Sequence, residues 1–199
     1  MIPPNGRIIY NLFYCSMYWS VKPKNLKQRA LFCTIEENLG GNVAMTLENT
    51  KAPQFSLPNE NGDIVRLDGF KGKNVILYFY PKDLTPGCTT QACDFRDKHD
   101  DFSELNAVIL GVSMDDASKH TKFIEKHGLP FSLLVDANHE IAEKYGVWVL
   151  KKNFGKEYMG IERTTFLINE EGIIEKEWRK VRVKNHIEDV LSYLKIRTK

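Results

Sequence analysis

The most restrictive stretch of this sequence is residues 74–80, NVILYFY. Six of the seven are aliphatic or aromatic, and they run unbroken instead of alternating with polar residues. A half-exposed strand alternates; an unbroken run of β-formers this short describes a strand buried on both faces. Such a strand needs a layer of structure on each side, which points to an α/β architecture. Pro81, which cannot donate to a strand ladder, ends the run. Residues 107–113, AVILGVS, form a second strand of this kind. Between the two, residues 88–104 are polar and charged, with Ala92, Phe95, Phe102 and Leu105 spaced for one apolar helix face.

The flanking segments complete a mixed sheet with helices on both faces. Residues 54–57 and 64–67 bracket the turn-forming PNENGD and are expected to pair as a short N-terminal β-hairpin. Residues 116–127 predict a helix stopped by Gly128 and Pro130; residues 131–135 a strand; residues 139–145 a helix closed by Gly146. Residues 164–168 and 173–178 are strands joined by the turn signal NEEG. Residues 184–196 close the chain as an amphipathic helix with Ile187, Val190, Leu191 and Leu194 on one side.

Charge divides the chain in two. Its 199 residues carry 28 Lys and Arg against 26 Asp and Glu, but residues 1–35 hold Arg7, Lys22, Lys24, Lys27 and Arg29 and no acid. Without residues 1–44, the remainder has 23 basic and 24 acidic side chains. The net of −1 offers no basic field for nucleic acid. Residues 1–45 therefore read as an extension and residues 46–199 as the domain. The apolar-leaning residues 8–19 are shorter than the roughly 18 residues a membrane span needs, so no membrane partner is expected. Two readings of the leader stay open: an organellar transit peptide, or an extension ahead of a natural start at Met45 that leaves the protein cytoplasmic. Cys15 and Cys33 lie in it and are assigned no role.

The chemistry concentrates where the first buried strand ends, in YFYPKDLTPGCTTQAC, residues 78–93. The strand runs into a Thr-Pro-Gly loop, and Cys88 follows at the mouth of a helix. The first turn of a helix carries unpaired N–H groups and the positive end of the macrodipole, so it favours the thiolate, which is the reactive species. A free cysteine is also a common small buried hydrophobe, the alternative for Cys88. Thr85, three residues upstream, can bring a hydroxyl toward the same sulfur. Cys93 lies five residues on. In an intact helix that spacing separates the Cα atoms by about 8.5–9 Å, beyond the roughly 7 Å limit for a disulfide. A Cys88–Cys93 bond would therefore require the first turns to unwind. Arg163, just before the strand TTFLI, could reach the Cys88 loop with a permanently charged guanidinium, although taken alone an arginine at a strand edge reads more readily as an ordinary surface residue.

These residues resemble the active-site motif of peroxiredoxins, and the Cys-x4-Cys spacing is similar to the bacterioferritin comigratory protein, or peroxiredoxin Q, subfamily. The resemblance extends over residues 46–197 through GVS (111–113), YGVW (145–148), GKEYMG (155–160) and RTTFLI (163–168). It implies a thioredoxin-like fold and a thiol-dependent peroxidase, an oxidoreductase with peroxide as acceptor, that reduces hydrogen peroxide and alkyl hydroperoxides without a cofactor. In that family's pattern Cys88 becomes a sulfenic acid, and Cys93 resolves it as an intramolecular disulfide. A thioredoxin or glutaredoxin-like protein then reduces the disulfide. Pro81 shields the pocket, Thr85 hydrogen-bonds around the sulfur and peroxide, and Arg163 holds a charge beside the thiolate. A monomer is expected.

Other chemistries fit less well. Two thiols without a second Cys or His pair make a poor metal site, and His99, His120 and His127 read as ordinary helix residues. A dithiol oxidoreductase of the thioredoxin type would need Cys-x-x-Cys. A non-enzymatic binding or chaperone module on the same fold remains the alternative, separable by its lack of peroxide turnover.

Overall fold

The computed structural model describes residues 46–153 and 155–197. The expectations for the leader, including Cys15, Cys33 and a start at Met45, lie outside the described residues. At the centre is β3 (Asn74–Phe79), all six of whose residues are buried. It pairs in parallel with β4 (Ala107–Ser113), from Asn74 opposite Ala107 to Phe79 opposite Val112. On its other side it pairs antiparallel with β8 (Thr164–Ile168). β5 (Leu133–Val135) extends the sheet beyond β4 and β9 (Ile174–Trp178) beyond β8, giving the order β5-β4-β3-β8-β9.

Side chains of successive strand residues point to opposite faces, and that period divides the interior. Val75, Leu77 and Phe79 enter one apolar cluster, closed by β1 (Ser56–Pro58) and by α4 (Glu140–Lys144). Ile76, Tyr78 and Tyr80 enter the other. This second face carries α1 (Pro86–Asp97), α2 (His99–Glu104), α3 (Ala117–His127) and α5 (His186–Arg197). The expected hairpin forms from β1 and β2 (Ile64–Arg66), a separate two-stranded sheet with Leu57 opposite Val65. α3 starts where Asp116 caps it, its carboxylate accepting from the Lys119 N–H at 3.0 Å, and stops at Gly128, whose φ of 59° is the left-handed geometry of a helix end.

Two elements differ from the sequence expectation. The single helix expected over residues 88–104 is two helices, α1 and α2, divided at Lys98 (φ −111°, ψ 8°). Asp100 and Asp101 then fall in the first turn of α2, where acidic side chains suit a new N-terminus. Phe95 and Phe102 still meet on the buried side, ring centroids 5.9 Å apart. Residues 148–161, to which no element was assigned, form the hairpin of β6 (Trp148–Asn153) and β7 (Lys156–Ile161).

The floor beneath α1 is aromatic. Tyr78 lies 5.3 Å from the Tyr80 ring and 4.8 Å from that of Phe95. Gly111 makes room for it: a Cβ there would come within 2.7 Å of the Tyr78 ring and 2.6 Å of Leu133.

Candidate active site

Residues 81–85 carry the chain from the end of β3 into α1. Thr85 is the N-cap, with extended φ/ψ of −81° and 148°, and Pro86 takes the first helical position, where a missing N–H costs nothing. The first helical bond donated back to the cap is Thr89 N–H to Thr85 O, 2.8 Å. The Gly87 and Cys88 amides precede it, among the first-turn donors that have no acceptor within the helix. Cys88 thus sits at the positive end of α1, only 2% exposed, packed into the aromatic-floored cluster.

Arg163 enters from the short link between β7 and β8. Its Nη2 donates to Cys88 Sγ at 3.2 Å and its Nη1 to Gln91 Oε1 at 2.6 Å. The guanidinium has donors only, so the Gln91 atom facing it must be the carbonyl oxygen. That fixes Gln91 Nε2 on the other side, where it is buried and lacks a hydrogen-bond partner. The sulfur is therefore flanked by a fixed cation and by the free amides of the first helical turn. Lys151 is a second cation in this field: its ammonium donates to the Ile161 carbonyl. Burial, with the Arg163 charge adding to it, lowers the Lys151 pKa.

The remaining expected residues are placed less directly. The Thr85 hydroxyl donates to the Lys82 carbonyl at 3.0 Å, which leaves its oxygen lone pairs, and not its hydrogen, for a neighbour. Pro81 is exposed on the rim. Cys93 is half-buried on the same unbroken helix, its Sγ 3.9 Å from His127 Nδ1. Arg96, one turn on, donates to the His127 carbonyl at 2.7 Å and ties α1 to the end of α3. Both cysteines are free thiols, as an intact helix with this spacing requires. Among the described residues no three His, Cys, Asp or Glu side chains converge on a point that could hold a metal ion. A concavity bounded by Phe55, Arg66, Asp136 and Lys144 lies elsewhere; chemistry, not cavity size, locates the site.

Sequence reasoning did not single out Gln91, Lys151 or His186. His186 Nε2 lies 2.8 Å from the Thr165 hydroxyl, and burial pushes its pKa down from 6.5 to about 4, with the Arg163 charge acting in the same direction. Between those values the unfolded chain binds a proton that the native state refuses, so stability is full above pH 6.5 and falls as pH drops toward 4. The loss expected from this group is up to about 3 kcal/mol. Thermal melts across that window should show a flatter pH dependence in His186→Gln than in the wild type; an unchanged slope would exclude His186 as the source.

Comparison with known proteins places these features. The AhpC/TSA family model matches residues 49–177. The peroxiredoxin Bcp of Bacillus subtilis is 62% identical over 152 residues, which are 76% of this chain and 97% of that protein. The peroxiredoxin Bcp of Escherichia coli K12 is 45% identical over 144 residues, 72% of this chain and 92% of that one. Among solved structures, Xanthomonas campestris peroxiredoxin Q superposes with a TM-score of 0.70 at 39% identity, covering 73% of this chain and 92% of its own. The bacterioferritin comigratory protein of the same organism, equally similar, was solved in work on its alkyl peroxide reduction activity. The match takes in the strand, the loop, both cysteines and Arg163, and the chain belongs to the AhpC/TSA family as a peroxiredoxin of the bacterioferritin comigratory protein, or peroxiredoxin Q, type.

Proposed function

We propose that this thiol-dependent peroxidase does its chemistry on Cys88, resolves it with Cys93 and is recycled by a thioredoxin. The observation that carries the reading is the guanidinium of Arg163, 3.2 Å from a buried sulfur at the N-terminus of α1. The Cys88 thiolate attacks one oxygen of a hydroperoxide; an S–O bond forms, the O–O bond breaks, and the departing oxygen leaves as alcohol or water after taking up a proton. Cys88 is then a sulfenic acid. Negative charge moves from sulfur onto the leaving oxygen, and donors already aimed at the site stabilise it without reorganising. Arg163 Nη2 and the first-turn amides are such donors. Thr85, with its hydrogen committed to Lys82, serves as acceptor for the proton of the incoming peroxide.

The Cys93 thiolate next attacks the Cys88 sulfur, forming S–S and releasing the hydroxyl as water with the proton that Cys93 gave up. The first turns of α1 unwind to let the sulfurs meet. Exchange with a reductant dithiol returns both thiols. Both cysteines of the disulfide belong to one chain, so a monomer suffices. Peroxide-treated protein, digested without reduction, is expected to yield the Cys88–Cys93 linked peptide, with α1 amides losing protection from hydrogen exchange. A disulfide elsewhere, or one formed with α1 still protected, would overturn the resolving role of Cys93.

A further inference from the structure

The loop that presents Cys88 is held by a buried side-chain cluster to which no role has been given. Asp83 lies in the middle of that loop, nearly fully buried. Its Oδ1 accepts from the Tyr80 hydroxyl at 2.6 Å, and its Oδ2 lies 2.7 Å from Nδ1 of His120 on α3. Its backbone N–H donates to Asp115 Oδ2 at 2.8 Å. Asp115, just past β4, is itself paired with Lys119 of α3 at 3.2 Å. His120 is 0% exposed, and its Nε2 meets the Leu134 carbonyl at 3.3 Å. A carbonyl only accepts, so Nε2 carries a hydrogen. The 2.7 Å approach of Nδ1 to the carboxylate places a hydrogen between those two atoms as well. Removing either partner would leave the other buried and unsatisfied.

Next to Asp83 the backbone departs from ordinary geometry. Leu84 has φ of 58° with its side chain largely exposed. A non-glycine residue in the left-handed region is strained, and persists only when its surroundings enforce it. The immediately following residue is Thr85, the N-cap of the helix that begins two residues before Cys88.

We infer that Asp83 is a positioning residue: its clamp by Tyr80, His120 and the Asp115-bound N–H holds Leu84 left-handed, and so fixes Thr85 and the first turn of α1 around Cys88. The hydrogen bonds of the clamp go to neither cysteine, so it can hold the loop while α1 unwinds during resolution. It acts on the oxidation step and not on reduction of the disulfide. The inference rests on Cys88 being the oxidised thiol, which is tested separately below.

Stopped-flow rates of Cys88 oxidation by hydrogen peroxide, and of disulfide reduction by thioredoxin, separate the two half-reactions. Asp83→Ala is expected to slow oxidation on the order of 10²-fold, the scale of a misplacement near 1 Å, and to leave reduction within about twofold. In Asp83→Asn, the amide can accept from Tyr80 and donate to His120 Nδ1, so most of the rate returns. Adding Leu84→Gly to Asp83→Ala removes the left-handed penalty and is expected to recover at least about threefold. A residue that merely fills the core would be rescued by the isosteric Asp83→Asn but not by Leu84→Gly, so the glycine rescue separates the two roles. If Asp83→Ala fails to fold, Tyr80→Phe takes its place, with an expected fall of about threefold. Wild-type oxidation in the folded clamp variant, or equal slowing of both half-reactions, overturns the inference. Peroxide turnover that survives Cys88→Ser instead overturns the assignment of Cys88 and is read independently.

Discussion

Serine at position 88 is expected to leave no measurable thioredoxin-coupled peroxide turnover, a fall of at least about 10⁴-fold on the scale of lost enzymic nucleophiles. The exchange is nearly isosteric, so the buried position between the aromatic floor and Arg163 should remain filled and the fold intact. What disappears is the nucleophile. A serine hydroxyl is neutral at pH 7 and has no adjacent base here to activate it, whereas a thiolate is both charged and soft. Cys93→Ser should behave differently: it loses turnover with thioredoxin but still consumes about one equivalent of peroxide per chain, leaving a sulfenic acid at Cys88 that a dimedone-type probe captures. Matched melting temperatures would place the loss in chemistry rather than in folding. Wild-type turnover in Cys88→Ser would remove Cys88 from the reaction.

Much of the frame was legible because buried strands in a layered fold have a one-dimensional signature. Residues 74–80 and 107–113 read as continuous apolar runs, and they are the adjacent central strands β3 and β4. The turn at residues 169–172 likewise marked the β8–β9 pair. The β6–β7 hairpin was not legible, since Leu150, Tyr158 and Met159 point outward and blur the alternation that marks a half-buried strand. No glycine or proline marks the division of the helix at Lys98, so the sequence carried no sign of it. Within the site, Cys88 and Cys93 were singled out by spacing and helix electrostatics, and their roles came from the family resemblance. Arg163 was not: an arginine ahead of a strand is ordinary, and only the family resemblance singled it out before the 3.2 Å contact. His120 read as an ordinary helix residue, and it is fully buried against a carboxylate 37 positions earlier. Pairings at that separation leave no local pattern to read.

Arg163→Met is expected to slow oxidation of Cys88 by about 10²–10³-fold, the range measured for loss of one preorganised donor facing developing charge. Methionine keeps part of the apolar stem while removing the cation and both donors, so the packing of the link between β7 and β8 should change little. Nothing nearby replaces what is lost. Lys151 is already spent on the Ile161 carbonyl, and burial disfavours its charged form. The first-turn amides carry only partial charge. Arg163→Lys should recover a fraction of the rate and no more. An ammonium restores charge, but it cannot donate to Gln91 Oε1 and Cys88 Sγ at once from one rigid plane, as Nη1 and Nη2 do at 2.6 and 3.2 Å. The order wild type, then lysine, then methionine in the second-order rate constant, at similar melting temperatures, is the expected result. If lysine matched arginine, charge alone would account for the site and the fork geometry would be incidental. If methionine matched both, the guanidinium would have no part in breaking the O–O bond.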